Sequence, residues 1–430
     1  MRLKGLFIAS VGMSLGMQVL AQHEHAAGPS PAPAPSAVLF QSDMAVMTGM
    51  TPADASPVPG PEWHVMDLGI ARLSFNHQGG RSGGSELESV NWNMLHASRG
   101  VGPGRLSLML MNSLEPVTFA KLGSRELFQT GESYGGQPLV DRQHPHDFFM
   151  NISATYRVPV GPEAGIWIQA APVGEPALGP TAFMHRASAG ENLTAPLGHH
   201  WEDSTHIAFH VLTAGGGWRW IAVDASVFRG EEPDEHRWDI EGGRIDSASG
   251  RIRFFLGSGW SAQLSHGFLK NPEPAEAGDT HRTTASVSFG ADGDRGFAAT
   301  LLFGRNDERR GSSDAWLLEG AWQATAGDQL YARAERVSKD ADLLSTKRAP
   351  DESGPLHLAR VAAFTLGYFR EIGIFRGVRT GAGGDVTAYS FPATLDGGYG
   401  RSPVSVHVFL RVRWGAPHGS SHAGHAGMKM

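Results

Sequence analysis

The chain has 430 residues, 56 glycines, no cysteine, 18% charged residues and a formal net charge of −7 at pH 7. The absence of cysteine excludes disulfide bonds, zinc–thiolate sites and thiol nucleophiles. The acidic balance argues against a nucleic-acid partner, since no basic stripe supplies phosphate contacts. Abundant glycine with few charges favours a β-rich protein with many turns over a coiled coil or a long-helix protein.

Residues 1–21 have the form of a secretory signal peptide. A basic start is followed by an apolar run over 6–20, and the small-residue pattern that ends at Ala21 fits a cleavage site. A retained membrane anchor is the alternative, and it is disfavoured because the run is short for a spanning helix. Beyond this segment no run of about 18 apolar residues occurs, so we expect no membrane-spanning helix in the mature chain.

Residues 22–62 are rich in Pro, Ala and Ser, and they include the run GPSPAPAPS from Gly28 to Ser36. Such a composition forms extended, semi-rigid linkers and cannot build a core. We therefore predict a flexible periplasmic arm, which also carries Met44, Met47 and Met50.

Residues 63–414 follow a different pattern, in which short runs alternate apolar and polar residues between turns. The clearest run is VSVHVFLRVRW, from Val404 to Trp414. Its period of two predicts a strand with one apolar and one mainly polar face, about as long as a tilted membrane-spanning strand. The same pattern predicts strands near residues 64–77, 88–98, 104–113, 148–159, 164–173, 203–213, 217–228, 250–256, 259–268, 281–289, 296–304, 314–323, 328–337, 356–369, 372–380 and 402–414.

A soluble all-β protein is the alternative, since soluble antiparallel sheets also alternate. Charged residues along whole polar faces, light apolar faces and the lack of a blade-length repeat weigh against it. We predict an all-β fold, an antiparallel transmembrane β-barrel of about sixteen strands, within roughly 14 to 18. Long interruptions at 114–147, 174–202 and 229–249 are predicted to be extracellular loops or segments folded into the lumen.

The stretch VDRQHPHDFF, from Val140 to Phe149, ends the first long interruption and carries several titratable groups. One hypothesis is a metal site of imidazole and carboxylate groups. Its candidate ligands are His144, His146, His185, His199 and His200. The other hypothesis is a buried polar network that anchors the loops to the barrel wall. Its candidate members are Asp141, Arg142, Asp147, Glu202, Asp203 and His206. The network is favoured, because no His-Glu-x-x-His motif occurs and the histidine spacings are unspecific.

Nucleophilic catalysis has little support in the sequence. No Gly-x-Ser-x-Gly elbow occurs, and GAGG from Gly381 to Gly384 lacks the lysine and helix pattern of a phosphate loop. A strand over 203–213 would send Ser204 and His206 to one face and Asp203 to the other, which builds no triad by itself. We therefore name no catalytic residue.

The C-terminal residues 415–430, GAPHGSSHAGHAGMKM, have no composition that can fold alone, so we predict a disordered tail. Imidazole suits divalent copper, nickel and zinc, and thioether sulfur selects monovalent copper. One hypothesis is that the tail captures copper weakly. The alternative is that its composition has drifted without any function. The candidate ligands in the tail are His418, His422, His425, Met428 and Met430.

Five blocks of the sequence are distinctive: Pro138 to Met150, Gly174 to Arg186, His199 to Phe209, Glu232 to Ile252 and Tyr399 to Trp414. They resemble a family of largely uncharacterised outer-membrane β-barrel proteins of Gram-negative bacteria. The resemblance implies a barrel over 63–414 and an association with copper or heavy-metal resistance systems, and it carries no catalytic residue. The N-terminal arm of this chain is poorer in histidine than the resemblance would suggest.

Three functional hypotheses follow. The first is a pore or porin-like channel in the outer membrane, linked to copper or other metal handling, with a small ion or solute passing through the lumen. The second is a metal-binding outer-membrane protein whose barrel only anchors the His/Met-rich termini. The third is an outer-membrane hydrolase of lipid or envelope polymer. The expected partners are outer-membrane lipid and a second copy of the chain, and the expected cofactor, if any, is copper or another divalent ion.

Overall fold

The computed structural model describes residues 60–161, 163–192, 194–273, 278–291, 296–348 and 354–415. Sixteen strands of these residues close into one antiparallel barrel, in which each strand pairs with its chain neighbours and the last pairs with the first. This confirms the predicted fold class. The strands are β1 His64–Gln78, β2 Gly84–Val101, β3 Gly104–Asn112, β4 Phe149–Pro159, β5 Ala164–Gly174, β6 Ala208–Trp218, β7 Ile221–Arg229, β8 Ser247–Gly257, β9 Trp260–Leu269, β10 Thr280–Ala291, β11 Phe297–Glu308, β12 Gly311–Gln323, β13 Asp328–Asp340, β14 Leu358–Phe375, β15 Val378–Ser390 and β16 Val404–Trp414.

The alternation read from the sequence decides which side chains face the lumen. On β16, Ser405 and Arg411 are buried inside, whereas Val408 and Leu410 are 59% and 58% exposed on the outside. Leu318 on β12 is likewise 55% exposed. The barrel therefore has a polar interior and an apolar exterior, as the period of two predicts.

The two ends of the barrel differ. At one end, which we call the short-turn end, the connections between strands are brief, and the described chain begins and ends there at 60 and 415. At the other end, the long-loop end, the connections include 113–148, 175–207 and 230–246. Exposed aromatic side chains ring the short-turn end, as in the aromatic girdles of membrane barrels. They include Trp218, Trp220, Trp260, Phe297, Trp322 and Phe375.

Two predicted strands are wrong in position. The strand expected over 203–213 begins only at Ala208, because Ser204–His206 forms a 3₁₀ turn inside the lumen. The strand expected over 372–380 spans a hairpin: Arg376 and Gly377 take φ of 50° and 80°, which suits a tight two-residue turn between β14 and β15.

The GAGG run lies within β15, and its glycines make room for aromatic rings in the lumen. A Cβ at Gly381 would lie 2.2 Å from the Phe369 ring, and one at Gly383 would lie 2.5 Å from the Phe409 ring. These two rings stack with their centroids 6.2 Å apart. Glycine is therefore required at both positions by packing.

In the part of the chain that the structure describes, the connections contain four very short α-helices, at Glu115–Thr118, His199–Glu202, Ala341–Thr346 and Asp396–Tyr399. Among the described residues, no helix is long and apolar enough to cross a membrane.

Candidate functional site

The segments 113–148 and 175–207, here called the plug, fold into the lumen, as the fold prediction expected. The amide of Gly179 donates to Ser265 Oγ at 2.8 Å, and Trp201 Nε1 donates to Ser313 Oγ at 2.7 Å. Because these acceptors are inward-facing strand residues, the plug is attached to the barrel wall. Other strand residues that bond to segment 175–207 are Arg72, Ser226, Arg251, Arg282, Thr300, Asn306, Glu319, Arg333, Glu335 and Arg411.

Hydrophobic packing between the plug and the wall narrows the long-loop end of the lumen. Phe128, with no exposed surface, stacks on Tyr399 with ring centroids 4.1 Å apart. Leu127, Leu197 and Trp201 of the plug belong to the same buried cluster as wall residues of β12, β13 and β14. This half of the lumen therefore resembles a protein core more than a water-filled channel.

Four charges alternate in sign from the plug to the wall, and we call them the ion chain: Asp203, Arg186, Glu319 and Arg333. His199 Nδ1 donates to Asp203 at 2.6 Å, and the other Asp203 oxygen pairs with Arg186. Arg186 Nε donates to Glu319 at 2.6 Å, and Glu319 accepts from Arg333 at 3.1 Å. Burial alone would raise the pKa of Asp203, but Arg186 and His199 bring it well below its usual range. Asp203 is therefore a fixed anion.

His200 lies among three carboxylates. Its Nε2 is 3.0 Å from Glu132, and its Nδ1 is 3.2 Å from Glu232 and 3.5 Å from Glu273. Burial lowers the pKa of His200, but Glu232 and Glu273 overcome this effect and raise it to about 9. The pKa of Glu232 is lowered to about 2, because His200 outweighs the effect of burial. His200 is thus a buried cation that joins both plug segments to neighbouring loops.

The two histidines of VDRQHPHDFF contact different carboxylates. His144 Nδ1 contacts Glu132, the same carboxylate that His200 contacts. His146 donates twice to one oxygen of Glu115, from its backbone amide at 2.9 Å and from Nδ1 at 2.8 Å. Burial lowers the pKa of His144 well below its usual value, so this imidazole is neutral near pH 7.

Asp141 and Arg142 connect the plug to its surroundings. Asp141, at φ 62°, accepts from the Phe128 amide at 2.8 Å and from Lys347 Nζ at 2.6 Å. Arg142 pairs with Glu86 of β2 at 2.9 Å. Both residues therefore make the kind of contact that a loop-anchoring network requires.

Asp147 connects the end of the first plug segment to loop 230–246. It pairs with Arg237 at 3.1 Å, and the Phe148 amide donates to the Arg237 carbonyl at 2.7 Å. Burial raises the pKa of Asp147 to about 6 against the opposing charge of Arg237. Phe148 stacks on Trp238, and strand β4 starts at the next residue.

Glu202 differs from the other members of the predicted network. It is 1% exposed, and among the described residues neither of its side-chain oxygens has a hydrogen-bond partner. Burial and the nearby Asp203 raise the pKa of Glu202 well above its usual value, so the group is neutral. His206 does take part, since its Nδ1 donates to the Asp203 carbonyl at 3.0 Å.

The candidate metal ligands come together only in part. The ring of His206 has its centroid 5.3 Å from those of both His146 and His199. His185 instead meets Trp92 edge to face at 4.9 Å, and burial lowers its pKa to about 3. Within the described ranges, no group of three or more His, Asp or Glu side chains is arranged to hold a metal ion. The candidate ligands of the tail, His418, His422, His425, Met428 and Met430, lie outside the described residues.

The wall residues and the carboxylate partners were missed from the sequence. Glu115, Glu132 and Glu273 carry no motif, and their contacts with His146 and His200 join parts of the chain that are distant in sequence. The inward arginines of the wall did carry a signal, since alternation places Arg333 and Arg411 on the polar faces of their strands.

A cavity with several polar lining residues remains beside the plug. A cavity of about 170 Å³ lies between segment 175–207 and the wall of β8 to β11. This is room for several water molecules. Its lining includes Arg251, Arg253, Gln263, Ser286, Ser288 and Thr300.

Comparison with protein-family models gives no match, and comparison with curated protein sequences gives none either. Among solved structures, the anion-selective porin from Comamonas acidovorans is similar with a TM-score of 0.52 at 13% identity, over 82% of this chain and all of the porin. OprB from Pseudomonas putida is similar with a TM-score of 0.51 at 9% identity, over 82% of this chain and 94% of OprB. At such identities the likeness shows a shared porin-type barrel fold.

Proposed function

We propose that the protein is an outer-membrane channel for small polar solutes whose lumen is narrowed by the plug. The observation that carries this proposal is the polar, charged lumen surrounded by an apolar exterior. A barrel that served only as an anchor would not need inward arginines and carboxylates on so many strands. The outer membrane fits the exposed apolar band, the aromatic ring at the short-turn end and the predicted signal peptide.

Orientation follows from the two ends. Outer-membrane barrels have short periplasmic turns and longer extracellular loops. The short-turn end therefore faces the periplasm, and both terminal arms begin there. In this orientation the plug narrows the lumen from the extracellular side.

The channel is tested by conductance in planar lipid bilayers. Arg186→Met breaks the ion chain and leaves Asp203 and Glu319 without their shared cation, so plug segment 175–207 should loosen and conductance should rise. The matched control is Arg305→Met, since Arg305 pairs with Asp307 at the barrel surface, where the two side chains are 47% and 42% exposed. Absence of any conductance in the native protein and in the Arg186 variant would contradict the proposal.

Metal handling is a second candidate, and one observation favours it. His146, His199 and His206 each bond through Nδ1 to an oxygen, which fixes the tautomer and leaves Nε2 as the metal-binding atom. Nε2 of His206 is buried without a partner among the described residues. These rings would need to shift to share one ion.

Copper content of purified protein separates the remaining hypotheses. If the variant that lacks residues 415–430 loses its copper and keeps its conductance, the tail is the metal-binding part and the channel works without it. Copper lost in His206→Ala would place it in the plug. For the hydrolase hypothesis, alanine at His144, His146, His200 and His206 should abolish turnover of lipid or envelope polymer while the barrel stays folded.

A further inference from the structure

Four arginines of β1, β15 and β16 face the lumen together, and we call them the arginine patch. Strand register places Arg72 directly opposite Arg411, and Arg379 directly opposite Arg413. Like charges opposite each other on neighbouring strands destabilise a sheet. Two such pairs side by side are therefore unfavourable unless anions lie between them.

Two carboxylates contact the patch. Glu191 of the plug lies 3.5 Å from Arg72 and also pairs with Arg411. Glu371 of β14 accepts two hydrogen bonds from Arg379, at 2.7 and 3.2 Å, and lies 3.7 Å from Arg411. Four positive charges thus meet two negative ones.

Arg413 is the member of the patch that forms no ion pair with either of these carboxylates. Its side chain makes no hydrogen bond or ion pair with any residue in the described ranges. It is the next-to-last residue of β16, at the short-turn end. Its guanidinium therefore faces the part of the lumen that a solute from the periplasmic side would enter first.

We propose that the arginine patch binds a small oxyanion, a carboxylate or a phosphate, through Arg413 and Arg379. Glu191 is the built-in anion of the same patch, so an entering anion competes for the arginines that hold this part of the plug. Guanidinium groups suit this role, because their planar donors match carboxylate and phosphate oxygens in pairs. The proposal rests on the proposed function only in that the solute must reach the lumen.

Calorimetric titration tests the site without an open pore. Inorganic phosphate and acetate are titrated separately into the folded full-length protein in detergent, in chloride-free buffer. We expect Arg413→Gln and Arg379→Gln each to weaken binding by about tenfold or more, as the loss of a charge-assisted hydrogen bond implies. Glu191→Gln should instead strengthen binding, because it removes the competing carboxylate.

The matched control is Arg360→Gln, which removes the same charge from an exposed position on β14. The gel shift between unboiled and boiled protein checks that each variant is folded. Absence of phosphate and acetate binding in the native protein would overturn the proposal, and so would equal binding by native protein and folded Arg413→Gln.

Ion selectivity gives a second readout. Across a potassium chloride gradient, the reversal potential of the native channel should indicate preference for chloride, and Arg413→Gln should reduce that preference while Arg360→Gln leaves it unchanged. A channel that prefers potassium in both forms counts against the patch. Absence of conductance together with phosphate binding would contradict the proposed function and support the anion site.

Discussion

The ion chain and the arginine patch use the same types of side chain in opposite ways. In the ion chain, Arg186 lies between Asp203 and Glu319, and each charge has a partner of the other sign. In the arginine patch, cations lie opposite cations, and two carboxylates contact them. The first arrangement attaches the plug to the wall of the barrel. The second leaves positive charge available to a ligand.

The difference also separates the two halves of the lumen. Toward the long-loop end, Phe128 and Trp201 lie in a buried apolar cluster, and His200 is held by three carboxylates. Toward the short-turn end, Arg379 and Arg413 lie opposite each other on β15 and β16 and are partly exposed. The packed, charge-paired part of the lumen therefore lies at the long-loop end, and the proposed anion-binding arginines lie at the short-turn end.

The largest effect is expected from breaking the ion chain at its centre. Glu319→Gln leaves Arg186 and Arg333 buried without their shared carboxylate, which costs about 3–5 kcal/mol for a buried pair. Urea unfolding in lipid vesicles, followed by tryptophan fluorescence, measures the loss. Asp328→Asn is the control, since Asp328 pairs with the exposed Arg370 at the rim, and it should change little. Equal stability of the two variants would mean that the ion chain contributes nothing.

A smaller effect is expected from pH. Because the folded pKa of His200 is about 9, above its unfolded value near 6.5, its contribution is fully present below pH 6.5 and is lost as pH rises through 9. Glu232, with a folded pKa of about 2, contributes above its unfolded value near 4.5 and loses this contribution as pH falls toward 2.

Plug attachment should therefore be strongest between about pH 4.5 and 6.5 and should weaken toward pH 10. Protease cleavage within 175–207, measured from pH 6 to pH 10, should increase over this range. In His200→Gln the increase should be absent or much reduced. A native protein whose cleavage does not change with pH would contradict the charged state of His200.

The smallest effect on stability is expected at the arginine patch. Arg413→Gln removes a cation that faces another cation and has no ion-pair partner among the described residues, so unfolding free energy should stay within about 0.5 kcal/mol or rise slightly. The same urea titration measures it. A loss as large as that of Glu319→Gln would mean that Arg413 is structural, and the contrast between the two regions would then fail.

Most of the barrel was predictable because strand alternation is local. The run from Val404 to Trp414 marks its inward and outward faces without any knowledge of its neighbours. One error lies where tertiary contacts override the local pattern, since residues 204–206 turn inside the lumen and Ser204 donates to Glu232 at 2.8 Å. The other is a missed local turn, because the strand predicted over 372–380 runs across the two-residue turn at Arg376 and Gly377.

The sequence by itself determined the alternation, the barrel class and the long interruptions that became the plug, because period two and turn residues act over a few positions. Only the tertiary structure decided which charges meet. Arg186 and Glu319 are 133 residues apart in the chain, and Arg411 and Glu191 are 220 apart. Such pairs depend on the register between neighbouring strands and on the pairing of β16 with β1, which closes the barrel. For that reason the stretch VDRQHPHDFF predicted a polar site from its own residues. Its carboxylate partners and the arginine patch could be identified only once the barrel had closed and the strand register was known.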